Sequence, residues 1–522
     1  MLRKIGEHEI TENGAVVRMG DASFPVPFSG GLEYSSPARG TWNIVHTGML
    51  IPEVHEIFVC AASCLRGVVL TAAEMNALDR FSTVEVKENN LLDGNLEELL
   101  IDGVSDIINK LEKRPPAVLV YTSCVHHFTG CDWGVMFGTL RERFPDIDIV
   151  DCYMNPTLRK SGLTPDQIMR RQLYALLKPR KINSNAVAII GNDLPTKENS
   201  DLYKILKSSG LKIHEITSCK TYAEYQEMAE SALYFTYYPA AKAGGDTLAK
   251  RLGGKHIYLP YSWDYDEIIH SLEHVKNEII KNRTNDVLCN RLNSNNISEN
   301  TITDNENGEK INNKEDNNSA DKIKENTEKT KETTTAELYK NEIALCEKAF
   351  EKALAMIGDT PIAIDYTFCP RPISVAKMLL THGFNVKRIY LDSFTGEEKA
   401  DYEFLKDYYP DLELYATVNV KSRFMASCNS SMSRDSDDQI QNNTGELGEN
   451  KDFRSKWLAI GQKAAYFLNT NYFVNIVEGG GMFGFEAIID TLELMRDAFV
   501  NIKDMRSLVQ IKGLGCGNCC NG

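Results

Sequence analysis

Residues 57–75 read IFVCAASCLRGVVLTAAEM and residues 118–133 read VLVYTSCVHHFTGCDW. In the first stretch an apolar run passes into the start of a helix, with Cys60 and Cys64 at the passage. In the second, a buried-type strand over residues 117–121 ends just before Cys124. Loops at the carboxyl edge of a parallel sheet line a crevice, so cysteines at strand ends and helix starts are placed to converge. Thiolates gathered in such a place suit an iron–sulfur cluster.

Outward from these stretches, the chain alternates strand and helix. A helical stripe over residues 91–113 ends at Pro115 and Pro116, and the strand at 117–121 follows. A helix over 133–143, a strand over 147–150 and a helix over 163–177, capped by Thr164 with Pro165 in its first turn, complete the block. The alternation restarts at residues 186–190 and again at 361–366. Three such blocks predict an α/β protein of three doubly wound, Rossmann-like domains with parallel sheets. Neither restart carries a Gly-x-Gly-x-x-Gly turn or a Walker lysine, so these sheets are not expected to hold a nucleotide.

Composition agrees with a folded chain of several domains: 522 residues, 42% hydrophobic and 25% charged. A formal net charge of −15 excludes an electrostatic nucleic-acid binder, which needs a basic face to displace counterions. The chain opens on no basic, apolar leader and contains no run long enough to span a bilayer. A cytoplasmic protein with no membrane association is expected, whose thirteen cysteines are mostly thiols.

The expected organisation is an N-terminal extension (1–35), a first domain (36–182) joined by C-terminal helices (478–510), a second (183–282) and a third (337–477). Residues 283–336, rich in Asn, Glu, Lys and Thr, are expected to be a disordered insertion, and 428–450 a flexible loop. Residues 511–522 are a tail with Cys516, Cys519 and Cys520, whose Cys-x2-Cys spacing suits a metal or a redox arm.

Three doubly wound blocks, Ser63-Cys64-Leu65-Arg66-Gly67, and Cys124 followed by His126, His127, Gly130, Cys131 and Asp132 together resemble component 1 of nitrogenase and its relatives. Those relatives include cofactor-assembly scaffolds and tetrapyrrole reductases. VEGGGMFGFEAIID at 477–490 is similar to the Gly-rich turn and helix that return the family's chain to its first domain.

The resemblance implies an iron–sulfur cluster, 4Fe-4S or larger, at a subunit interface, with three cysteine ligands from each chain. Cys64 and Cys124 match two of them. Residues 36–43, where the third would stand, have no cysteine, so Cys60 is the expected substitute, with Cys131 a further candidate. His126 and His127 are candidates for hydrogen bonding to the cluster or for proton relay, against the plainer reading of a solvent-facing pair.

The positions that hold the nitrogenase active-site cofactor correspond to Tyr237 and Val474, which cannot ligate it in the usual way, so dinitrogen is not the expected substrate. The interdomain cavity is instead expected to take an organic substrate or a second metallocluster, lined by Asn192, Asp193, Tyr237, Tyr238, Cys369, Arg371 and residues 478–481. Cys369 with adjacent Arg371 is a candidate ligand or proton donor, since nearby positive charge lowers a thiol's pKa, with simple helix-start packing as the equal alternative. The implied activity is that of an oxidoreductase of an anaerobe or protected cytosol, accepting low-potential electrons from a separate ATP-dependent iron protein. The chain would act as a homodimer or as a heterotetramer with a sister subunit. An assembly scaffold and a non-catalytic cluster-binding protein are the alternatives.

Overall fold

The computed structural model describes residues 12–28, 38–39, 42–154, 162–299, 338–417 and 456–509. The loop at 428–450 and the tail with Cys516, Cys519 and Cys520 lie outside them. Strand β1 (Val16–Arg18) opens the described chain, and β2 (Ala38–Arg39) pairs antiparallel with β3 (Trp42–Asn43).

The first sheet contains β4 (His55–Cys60), β5 (Phe81–Glu85), β6 (Ala117–Ser123) and β7 (Asp148–Met154) in the order β5-β4-β6-β7, all parallel. Every residue of β4 and β6 is buried, as the near-continuous apolar runs require of central strands covered on both faces. Layers over the two faces are separate cores, one holding Cys60, Leu119 and Tyr121, the other Val118, Val120, Met136 and Phe137. The single helix expected over 91–113 is two, Glu88–Asp93 and Leu96–Lys110. Gly94, with φ of 68°, takes the left-handed conformation that ends the first.

The second sheet contains β8 (Asn183–Ile189), β9 (Lys212–Glu215), β10 (Ser231–Thr236) and β11 (Lys255–Tyr258) in the order β11-β10-β8-β9, again all parallel. The third contains β12 (Ile362–Asp365), β13 (Val386–Tyr390), β14 (Glu413–Tyr415), β15 (Leu458–Ile460) and β16 (Phe473–Val474) in the order β1-β14-β13-β12-β15-β16. Only β1 is antiparallel, so part of the N-terminal extension is an edge strand of the last domain.

Two further boundaries differ from expectation. Helix Tyr265–Glu299 runs into the segment read as a disordered insertion. Ile268, Leu272, Val275 and Ile279 form its buried stripe, and extending a nucleated helix costs little per residue. The C-terminal helix Phe485–Val500 does not return to the first domain. Its buried Phe485, Ile488, Leu492 and Met495 join the core shared by the second and third domains, against helix Lys340–Ile357.

In each sheet the strand order reverses at one point, between β4 and β6, β8 and β10, and β12 and β15. The crevice at the carboxyl ends of such neighbours is where open α/β sheets place their chemistry.

Candidate functional site

At the first reversal point, β4 ends in Cys60, helix Ala62–Glu74 carries Cys64 in its first turn, and Cys124 opens helix Cys124–Phe128 directly after β6. Cys60 is fully buried, while Cys64 and Cys124 are partly exposed, and none is in a disulfide. Cys60 feels the charge of the other two thiols, and Cys64 that of Cys124. Burial pushes the Cys60 thiol up, and Cys64 and Cys124 push it further. Burial raises Cys64 as well; a hydrogen bond with Ser63 opposes the rise and Cys124 adds to it. Mutually unfavourable ionisation of converging thiols is the condition a bound cation relieves.

Cys131 does not join them. It packs on the opposite face of the sheet, against the layer of Val118 and Val120, with Sγ 3.3 Å from Thr129 Oγ1. The histidine pair is not solvent-facing. His126 is fully buried, with Nδ1 3.5 Å from Ser123 Oγ and no hydrogen bond to Nε2 among the described residues. Burial lowers its pKa and keeps the ring neutral. The His127 ring lies 4.8 Å from Trp133 and 5.5 Å from Tyr153, so it is part of an aromatic cluster.

Most of the strand-end residues expected to line an interdomain cavity are engaged by other side chains of the protein. Asn192 Nδ2 donates to Tyr237 Oη at 2.7 Å and to Glu215 Oε1 at 3.0 Å. Arg170, from helix Pro165–Leu173, is completely buried. It donates to Asp193 through Nη1 and Nη2 at 2.7 and 2.9 Å, to the Gly191 carbonyl at 2.6 Å and to Asp166 Oδ1 at 2.9 Å. Tyr238 covers its guanidinium at 4.4 Å, and Glu478 Oε1 stands 3.9 Å from Nη2. Burial opposes the charge of Arg170, yet its three carboxyl neighbours hold its pKa well above the usual value.

Glu478 opens the glycine-rich turn expected to bring backbones together, and it does. A Cβ on Gly481 would lie 1.9 Å from the Pro195 carbonyl, and Gly481 O accepts from Lys197 N at 2.8 Å, fastening the third domain to the second. Val474 is buried in β16, at a sheet edge.

Cys369 and Arg371 do not make an activated thiol. Arg371 is buried, and its Nη1 and Nη2 are bound to Glu267 Oε2 at 2.7 Å and Asp401 Oδ2 at 2.9 Å. Burial dominates at Cys369 and pushes its thiol up to about 12. Arg371 does act to lower the thiol, through its backbone N–H and its charge, but the cost of burying a thiolate outweighs both, so the plainer reading of a packed thiol holds.

Two polar groups went unnoticed in the sequence. In the sequence Arg170 is one of two adjacent arginines of a helix, and only Asp166, four positions earlier, marks an i,i+4 partner. His214, Glu227 and Glu230 bring ligand atoms within 4.8 Å of one another, a metal-like grouping that no local spacing signals. The Lys212 ammonium already stands 2.9 Å from Glu227 Oε2 and 3.0 Å from Glu230 Oε1, in the cation's place.

A three-domain α/β protein with thiols at one sheet-reversal point and a charged junction between domains is thus defined. Residues 47–307 match the profile of the nitrogenase component 1 type oxidoreductases. The chain belongs to that family. Its fold is similar to that of solved structures of nitrogenase Cp1 at pH 6.5 (TM-score 0.54, 11% identity, covering 90% of this chain and 94% of the other) and at pH 5 (0.53, 11%, 95% and 96%). Comparison with curated proteins gives no match. No helix among the described residues is long and apolar enough to cross a membrane.

Proposed function

We propose that this chain is the component 1 subunit of a nitrogenase-like reductase, with Cys60, Cys64 and Cys124 holding an iron–sulfur cluster at a subunit interface. The observation that carries the reading is the convergence of these three thiols at the one reversal point of the first sheet. The donor set fits the group: all three are free thiols, and two are partly exposed. A four-iron cluster commonly takes four thiolates, so three from one chain leave a position for another subunit. Bound there, the cluster supplies one-electron transfer at low potential.

The electrons would come from a separate ATP-hydrolysing iron protein, and the substrate is an oxidised organic molecule or another small acceptor, not dinitrogen. Phe128, on the same short helix as Cys124, is 84% exposed and supports an apolar partner surface beside the thiols.

The test is anaerobic purification with iron and sulfide quantitation and electron paramagnetic resonance after dithionite. Roughly four irons per dimer are expected, lost in both Cys64→Ala and Cys124→Ala. Wild-type protein without iron under strictly reducing conditions would overturn the reading. A cluster that leaves for an acceptor protein, without turnover, would turn the assignment to an assembly scaffold.

A further inference from the structure

At the junction of the domains one guanidinium faces three carboxyls, Asp166, Asp193 and Glu478. Each comes from a different place: Asp166 from helix Pro165–Leu173, Asp193 from the loop after β8, and Glu478 from the turn after β16. Ionised together they would leave two unbalanced negative charges in a region where Arg170, Tyr238 and Asp193 are all buried. Low-dielectric surroundings do not tolerate that, and a carboxyl takes up a proton instead.

Asp166 accepts from Arg170 Nε at 2.9 Å, and although burial raises it to about 6 it is ionised at neutral pH, so the choice falls between Asp193 and Glu478. Asp193 has both oxygens on the Arg170 guanidinium, at 2.7 and 2.9 Å, a bidentate pairing that only a carboxylate accepts fully. Glu478 is farther from that charge, its Oε1 3.9 Å from the same Nη2 that Asp193 occupies at 2.9 Å, so the two carboxyls meet at one nitrogen. Its backbone is also held in an unusual conformation. Glu478 has φ of 53°, a left-handed value uncommon outside glycine, fixed by its N–H on the Thr367 carbonyl at 2.9 Å. The remaining titratable neighbours are Tyr238 and, facing Asp193 from helix Ile44–Met49, His46.

We propose that Glu478 is a neutral carboxylic acid donating its proton to the Asp193 carboxylate, so that the meeting point of the three domains stores one transferable proton. The directions of titration agree: burial first, and then Asp193, push Glu478 well above the ordinary carboxyl range. Arg170 holds Asp193 below it against the opposing effect of burial. In a reduction at this point, a low-potential one-electron donor would supply the electrons and Glu478 the proton. Its O–H bond would break as the new bond to the reduced atom forms, one proton for each electron delivered, and the resulting carboxylate would be stabilised by Arg170 until a hydronium ion of the solvent returned the proton. That last role rests on the reductase reading; the stored proton does not.

The experiment is infrared spectroscopy of the full-length, anaerobically purified protein in H2O and D2O at neutral pH, for wild type, Glu478→Gln and Asp193→Asn. The expected result is a protonated-carboxyl carbonyl band that shifts in D2O, is lost in Glu478→Gln and moves in frequency in Asp193→Asn, whose amide is a weaker acceptor. An unchanged carboxyl region in Glu478→Gln would overturn the proposal. Because an amide reproduces the shape and donor of the protonated acid, Glu478→Gln should also keep the wild-type Tm at neutral pH. Should Glu478→Gln fail to fold, Asp193→Asn decides: a carboxyl region identical to that of the wild type would overturn the proposal. Both readouts need no substrate, so failure of the reductase reading would leave them intact.

Discussion

Gly48 and Glu56 pack so closely that a methyl group on residue 48 would lie 1.9 Å from Glu56 Oε1, and 2.6 Å from the Tyr121 hydroxyl. Glu56 is a carboxyl in the middle of a fully buried central strand, and neither of its oxygens has a hydrogen-bond partner among the described residues. Burial raises its pKa well above the ordinary range, against the opposing charge of Arg80, so the group is neutral. The absence of a side chain on residue 48 is what lets helix Ile44–Met49 close over it. Gly48→Ala is therefore expected to cost about 1–3 kcal/mol, the usual range for overpacking a core. Urea denaturation checks this, and the double variant Gly48→Ala/Glu56→Ala should recover part of the loss, because the clash and its partner are removed together. Additive effects of the two substitutions would sink the account.

The three sheets were legible because each block pairs buried strands with capped helices. Thr164 was readable as a cap because Pro165 follows it in the first turn, and the structure adds a reciprocal capping box with Gln167. Cys60, Cys64 and Cys124 were legible as a group because strand ends and helix starts on one sheet edge converge whatever the tertiary detail. Arg170, Asp193 and Glu478 were not legible as a group, since they come from elements far apart in sequence and only packing of the domains brings them together. Cys369 beside Arg371 misled for a related reason: the adjacent charge is visible in the sequence, whereas the complete burial that outweighs it is set by packing of remote elements. The return of the C-terminal helix was misplaced because its apolar stripe says that it is buried without saying against what.

Phe128 follows Cys124 by one helical turn and is 84% exposed, so an apolar ring stands in water next to a thiol that the proposed function places at a subunit contact. Large aromatic side chains supply most of their contact energy when buried at the centre of an interface. Phe128→Glu is expected to shift the anaerobic protein to a smaller species in sedimentation velocity and to lower its bound iron in proportion, since the partner's ligand leaves with the partner. Helix Cys124–Phe128 keeps its fold in this account, so the far-ultraviolet circular dichroism should not change. Loss of iron with the oligomer intact would assign Phe128 to the cluster's surroundings and refute the interface role.

His55 opens β4 with its ring almost fully buried and Nε2 2.8 Å from Ser82 Oγ. Burial is the main cause that lowers its pKa from 6.5 to about 4; Asp79 opposes the shift and Arg80 adds to it. In the unfolded chain the imidazole takes up its proton near the ordinary value, so between those two pH values the unfolded state binds more protons than the folded one. Stability contributed by the neutral ring is thus complete at neutral pH and is lost as pH falls towards 4, by up to about 3 kcal/mol at 1.36 kcal/mol per unit. His55→Gln removes the titration and retains a polar partner for Ser82. Urea midpoints of the two proteins, taken anaerobically at neutral pH and at about pH 5, should converge as the pH falls, because only the wild type loses this contribution. Parallel lines for the two proteins would mean that the His55 ring titrates alike in both states and that its burial does not set the acid stability of the first domain.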